Sequence, residues 1–459
     1  MVKSKKIIIA GILFLILFDC LSQDIVIKNI NTEGSYFVEN FDKNNFRVVY
    51  KIFSKDERLS DFNVVKFDSL LVVNDTSRIS MFGNYSILGN ASTKNNSAYL
   101  LGSASNSGLV LHIINNNTGI GTDHRVKLQF NWSGDSPCYL TAIENNFYLL
   151  VEGKVSELVA IAPSGEPIWK KLFTGAGSTL SVNFMKVVDN QLFLSFTYDP
   201  RKNKTKNEIR AIDPSTGNES FLFPMIYGKK KLTIDNIIPY NQEEIILTGR
   251  TFKNLKKQDS SPGIPYVAKM NTMSDAIDFT EIKTKENVYW MGFLKSIENQ
   301  GGYLIGETFT SDPPVYIPIG GFAGVIANSI ATAAYTCTLR FNKIVFVKFN
   351  TTADNEIQSY GVTPRATSVN QYMHPYRFAH YANNKGNTHY FGDNGEGSIY
   401  SISKGNISKY NPTEKTEHTI GTIPNANVPS IIFLSERYAL YSDQNVSKRE
   451  LIFNQIKLP

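Results

Sequence analysis

Histidine is scarce in this 459-residue chain, at six residues, and three of them, His374, His380 and His389, fall in one stretch, QYMHPYRFAHYANNKGNTHYFGDNGEG, with Asp393 and Glu396 close behind. Imidazole and carboxylate groups suit zinc and other transition metals. Their spacing here matches no ligand motif, however, and spans a strand, a loop and a second strand, so no metal is expected. Aromatic packing with hydrogen-bonded histidines is the plainer reading. A second reading makes the stretch a ligand surface, in which Tyr376, Arg377 and Tyr381 stand beside His374, His380, His389 and Asp393, because aromatic rings stack on sugars and peptides.

The chain has no G-x-S-x-G elbow, no H-E-x-x-H helix and no phosphate-binding loop, and no cofactor is expected. Paired carboxylates for glycan hydrolysis are defined by a separation of about 5 to 10 Å in space, which residue order does not reveal. There are three cysteines and no C-x-x-C pair, which removes thiol redox chemistry and zinc ribbons. Cys138 and Cys337 stand far apart in sequence. Two buried free thiols are the first expectation for them and a disulfide the second, with a Cα separation near 5.5 Å as its requirement.

One apolar segment stands out, DPPVYIPIGGFAGVIANSIATAAYTCT, over 312–338. Phe322, Val325, Ile326 and Ile330 recur at helical spacing after Gly320 and Gly321, which predicts a short amphipathic helix too polar to span a bilayer. Three uses compete: packing over the rest of the fold, a patch for a partner protein centred on those four residues, and contact with a membrane surface.

The N terminus reads as an export signal. Lys3, Lys5 and Lys6 precede an apolar run, Ile7 to Phe18, that is short for a membrane span, and Cys20 and Ser22 offer small side chains for cleavage before Gln23. The expected leader is therefore 1–22. The rival reading lipidates Cys20, and Asp19 in front of it argues against that. The expected locations are the periplasm, the outer-membrane surface or the exterior, with no transmembrane span in the mature chain. Of the formal charge of +6, three lysines leave with the leader. Asp19 leaves with them, so the remaining net charge is small for the length, and no extended basic face shows along the sequence, so no nucleic-acid partner is expected. With 42% hydrophobic residues and 31 Gly, the chain is neither disordered nor collagen-like.

The elements that must position these residues are short strands. An apolar stretch, a polar turn and then three or four strand formers recur as NNSAYLLGS, ENNFYLLVEG, VDNQLFLSF, NQEEIILTG, NQGGYLIGE, GNTHYFGD and SERYALYS, centred on Tyr99, Tyr148, Phe193, Ile246, Tyr303, Tyr390 and Tyr438. Most of the gaps suit one four-stranded propeller blade. Second hairpins follow, as at Pro163-Ser164-Gly165 and Asp213-Pro214-Ser215-Thr216-Gly217, where Pro presets φ and Gly accepts positive φ. Residues 23–459 are thus expected to form a single all-β domain, a β-propeller of four-stranded antiparallel blades. Seven blades are expected, with eight as the alternative and an N-terminal strand closing the ring.

Ala211 to Phe221 (AIDPSTGNESF) resembles the A-x-D-x-x-T-G-x-x-x-W blade motif of quinoprotein-like propellers, with Phe221 where Trp is usual. Ala160 to Trp169 (AIAPSGEPIW) resembles it shortened by one residue. The resemblance implies that Trp169 packs between blades. It does not imply the quinone cofactor, because the adjacent cysteines of many such dehydrogenases are absent. The function expected is that of an exported, non-catalytic binding or scaffold protein of the cell envelope or extracellular space, its partner another such protein or a glycan. The alternative is a propeller glycan hydrolase or lyase with carboxylates on the blade loops.

Overall fold

The computed structural model describes the chain between residues 24 and 457, apart from 312–336, 370–387 and a number of shorter connecting segments. The expected leader lies outside the described residues. Among the described residues every element is a β-strand. After β1 (Asp24–Lys28), the first sheet is β2 (Tyr36–Asn40), β3 (Asn45–Lys51), β4 (Leu59–Asp68) and β5 (Val73–Phe82). The second is β6 (Ser86–Ser92), β7 (Asn96–Ser103), β8 (Gly108–Asn115) and β9 (Gly121–Val126). The third is β10 (Cys138–Ile143), β11 (Asn146–Val151), β12 (Ser156–Ile161) and β13 (Pro167–Phe173). The fourth is β14 (Leu180–Val188), β15 (Gln191–Tyr198), β16 (Asn207–Ile212) and β17 (Glu219–Pro224).

The fifth sheet is larger. A small hairpin, β18 (Ile226–Tyr227) and β19 (Lys230–Leu232), joins β20 (Asn236–Pro239), β21 (Glu244–Phe252), β22 (Ile264–Asn271) and β23 (Ile277–Glu281), and both β19 and β20 pair with β21. The sixth sheet is β24 (Val288–Lys295), β25 (Gly302–Ser311), β26 (Cys337–Phe349) and β27 (Glu356–Val369). The seventh is β28 (Thr388–Gly392), β29 (Ile399–Ser403), β30 (Asn406–Asn411) and β31 (Thr416–Thr422). The eighth is β32 (Ser430–Leu434), β33 (Tyr438–Asn445) and β34 (Glu450–Lys457), completed by β1 at the edge of β34.

The strand alternation explains why these sheets stack. A strand whose successive side chains point to opposite faces buries both faces only if a sheet lies on each side. In β7, Ala98 and Leu100 join the core shared with the third sheet, while Tyr99 and Leu101 join the core shared with the first. In β11, Phe147 and Leu149 face the second sheet and Tyr148 and Leu150 the fourth. In β21, Ile245 and Leu247 face the fourth sheet and Ile246 the sixth. The second strands therefore read as continuous apolar runs, and the core is a series of layers between successive sheets. First strands of adjacent sheets also touch, β2 with β6, β6 with β10, β10 with β14, β14 with β20 and β20 with β24. Antiparallel four-stranded meanders stacked this way, with β32 against β2 and the first strand closing the last sheet, make a β-propeller.

The described strands form eight sheets, the count held as the alternative to seven. The recurring anchor missed the first sheet. Its second strand, NFRVVYK, carries Arg47 in mid-strand and has no Gly or Ser at its end. Arg47 is nonetheless buried, donating to the Tyr99 hydroxyl and the Asn116 side-chain carbonyl, each at 3.0 Å. The expected closure by an N-terminal strand is met by β1, with Asp24 opposite Asn454 and Lys28 opposite Glu450.

Candidate functional site: the long-connection end of the propeller

In an antiparallel meander, the turns after the first and third strands lie at one end of a sheet, and the connections after the second and fourth lie at the other. The two ends of this propeller differ sharply. At the first end no connection exceeds six residues, the longest being 213–218, 296–301, 350–355 and 393–398. Among the described connections here the chain reverses tightly, and several turns use positive φ, as at Glu144 (φ 53°), Asn190 (φ 60°) and Gly217 (φ 73°). Every connection longer than six residues lies at the other end, including 127–137, 199–206, 225–235, 253–263, 312–336 and 370–387. Connections on a rigid scaffold are where binding groups are presented.

The sixth sheet carries the two longest. β26 and β27 are the longest of the described strands, and Ser311 pairs with Leu339, Leu339 with Thr367 and Cys337 with Val369. Segments 312–336 and 370–387 therefore leave from the same end of one sheet. They contain the two groups singled out from sequence. Phe322, Val325, Ile326 and Ile330 fall in the first, and His374, Tyr376, Arg377, His380 and Tyr381 in the second; all of these, and Asp393, lie outside the described residues. His389 is in β28, opposite Ile402.

Cys138 and Cys337 open β10 and β26, in the third and sixth sheets. Cys138 is a free thiol, which corrects the disulfide reading. Its Sγ donates to the Ser136 carbonyl at 3.5 Å, and burial pushes the thiol up to about 12, opposed by Trp132.

Sequence reading missed a cleft of about 370 Å³ between the second and third sheets, with Leu111, Val126, Val159 and Ile161 among its lining and His124 and Lys170 at its polar positions. Two polar pairs flank it, each with one buried member, His112 and Glu157. His112 Nδ1 lies 2.6 Å from Asp123 Oδ1, and this hydrogen bond holds the Asp123 carboxyl below the usual range against the opposing effect of burial. The other edge of the His112 ring packs against Gly121, where a Cβ would fall 2.4 Å from Nε2. A histidine closed on both nitrogens pins its hairpin and has no room for a substrate. Glu157 is fully buried, accepting the Gln129 N–H at 2.6 Å, with its other oxygen 3.7 Å from Lys170 Nζ. This pair ties the 127–137 connection to the third sheet. Among the described residues no group of three His, Cys, Asp or Glu side chains converges as a metal site.

No protein-family model matches the chain, and no curated protein matches it. It is similar in structure to the WD40 domain of SCAP from fission yeast, at 9% identity and a TM-score of 0.46, over 95% of this chain and 98% of that one. It is likewise similar to the β-propeller domain of the Trilobed protease from Pyrococcus furiosus, at 8% identity and a TM-score of 0.41, over 92% and 96%. An oligogalacturonate lyase in complex with manganese gives 9% identity and a TM-score of 0.43, over 96% and 98%.

Proposed function

We propose that this chain is an exported, non-catalytic propeller that holds a partner protein of the envelope or extracellular space at its long-connection end. The observation that carries the reading is the asymmetry between the ends, which brings 312–336, with its apolar residues, and 370–387, with its histidines, tyrosines and Arg377, to one end of one sheet. Connections of six residues or fewer at the opposite end offer less chain for recognition. Export rests on the leader pattern, and β1 begins at Asp24, so cleavage before Gln23 leaves the closing strand whole. A quinoprotein-like origin of the blades rests on the two motif segments and on Trp169, whose indole N–H donates to the Pro214 carbonyl of the next sheet at 2.9 Å.

The test replaces 312–336 by Asn-Gly, which together with Cys337 and Thr338 makes a four-residue connection between the paired Ser311 and Leu339. Cross-linking and affinity capture from the native envelope are then compared for the two chains. A partner held by the intact chain and lost by the shortened one is the expected result. No partner with either chain, together with cleavage of a polysaccharide panel, would replace this reading by a glycan hydrolase or lyase.

A further inference from the structure

The fifth sheet gathers a run of three lysines, Lys229 to Lys231, with two more that are distant in sequence. The hairpin of β18 and β19 turns at Gly228 and Lys229 and lies along the end of β21, with Lys231 opposite Phe252 and Leu232 opposite Thr251. Lys253 follows Phe252 directly, and Lys283 stands two residues past Glu281 at the end of β23. Register therefore brings Lys229, Lys230, Lys231, Lys253 and Lys283 to the long-connection end of this sheet. The described carboxylate among them is Glu281. It takes Lys230 Nζ at 2.6 Å and the Thr251 hydroxyl at 2.8 Å; burial pushes its carboxyl up, but these hydrogen bonds and the charge of Lys283 outweigh that and hold it below the usual range. Lys229, Lys253 and Lys283 are exposed.

Two further features accompany the charge. Ile226 and Tyr227, at 44% and 42% exposure, present apolar surface beside it. β18 also ends its sheet, with β19 on one side and no described strand on the other.

We propose that this end of the fifth sheet docks an extended acidic segment of a partner protein against β18, with the lysines facing its carboxylates. A strand edge offers backbone groups that a peptide pairs with and a glycan or lipid does not. Ile226 and Tyr227 are consecutive and lie on opposite faces of β18, so each offers apolar contact to one face of an added strand, and the lysines select acidic residues along it. The inference deepens the binding reading above, since it states the partner's chemistry, but it stands on a different sheet and can fail separately.

The probe is a fluorescein-labelled peptide alternating glutamate with valine, read by anisotropy with the purified full chain. Binding should weaken at least tenfold in the Lys229→Glu/Lys253→Glu variant and also in Ile226→Glu, with melting temperatures near that of the parent. Lys94→Glu, at the short-turn end, should leave it unchanged. Replacing 312–336 should also leave it unchanged, even if partner capture is lost. The inference is overturned if the parent does not bind the peptide, if Lys94→Glu weakens binding as much as the double variant, or if polygalacturonate, duplex DNA or phosphatidylglycerol vesicles bind more tightly at the same sites.

Discussion

Trp169 of the third sheet lies against Gly217 of the fourth so closely that a Cβ at Gly217 would fall 2.8 Å from the indole Cε3. The indole N–H and the Tyr148 hydroxyl both donate to the Pro214 carbonyl, at 2.9 and 3.1 Å, so the turn at 213–218 is clasped by the neighbouring sheet. The same device joins the second and third sheets, where the His124 ring occupies the space beside Gly165. Gly217 is required twice, by its φ of +73° and by this approach. Gly217→Ala should therefore cost ~2–4 kcal/mol in denaturant unfolding, from left-handed backbone strain and overpacking. Gly228 has positive φ with nothing within 4 Å. Gly228→Ala should lose only about 1 kcal/mol, the backbone part alone. Equal losses at the two positions would show that the Trp169 contact carries no energy.

This contact also marks how far the sequence could be read. The Ala211–Phe221 and Ala160–Trp169 segments were legible because their turn chemistry is local, and in the fold Ala211 pairs with Phe221 and Ala160 with Trp169. The second strands were legible because burial on both faces leaves an apolar run. The first sheet was not, because Arg47 is satisfied by Tyr99 and Asn116, residues 52 and 69 positions away. Nor was the lysine cluster, since only strand register brings Lys253 and Lys283 beside Lys229. The free thiol was the first of two readings for Cys138. Choosing between them needed the sheet assignments, which put Cys337 three sheets further on.

Closure by β1 gives a prediction tied to strand parity. Ile25 and Ile27 pack on the core between the eighth and first sheets, whereas Val26 points outward at 44% exposure. Ile27→Asp should destabilise the protein by ~2–4 kcal/mol or prevent closure, while Val26→Asp should change stability by about 0.5 kcal/mol or less. Thermal melting of the two variants separates these outcomes. Similar losses would mean that β1 does not close the ring in this register.

Cys138 should be chemically silent in the folded protein. With its thiol pushed up to about 12, almost none is thiolate near neutral pH, and the thiolate is the reactive form. Iodoacetamide at pH 8 should leave Cys138 unmodified for as long as the protein stays folded and alkylate it once guanidinium is added, as read by peptide mass. Rapid modification of the native protein would contradict the burial of this side chain.

Acid stability should depend on Asp61, which is nearly buried in the first sheet. Arg78 grips both of its oxygens, at 2.6 and 3.3 Å, and the Ser80 hydroxyl donates at 2.6 Å. The Arg78 hydrogen bond first, and that of Ser80 second, hold the carboxyl below its usual value, while burial opposes them. A carboxyl lowered in the folded state binds fewer protons there than in the unfolded chain. Its stabilisation is therefore fully present above the unfolded value of about 3.9 and is lost as pH falls through the folded one. Asp61→Asn should lower stability at pH 7, and the gap to the parent should narrow steadily below about pH 4. Urea midpoints taken across that range provide the measurement. A gap that stays constant with pH would show that the carboxylate charge of Asp61 contributes nothing to holding β4 against β5.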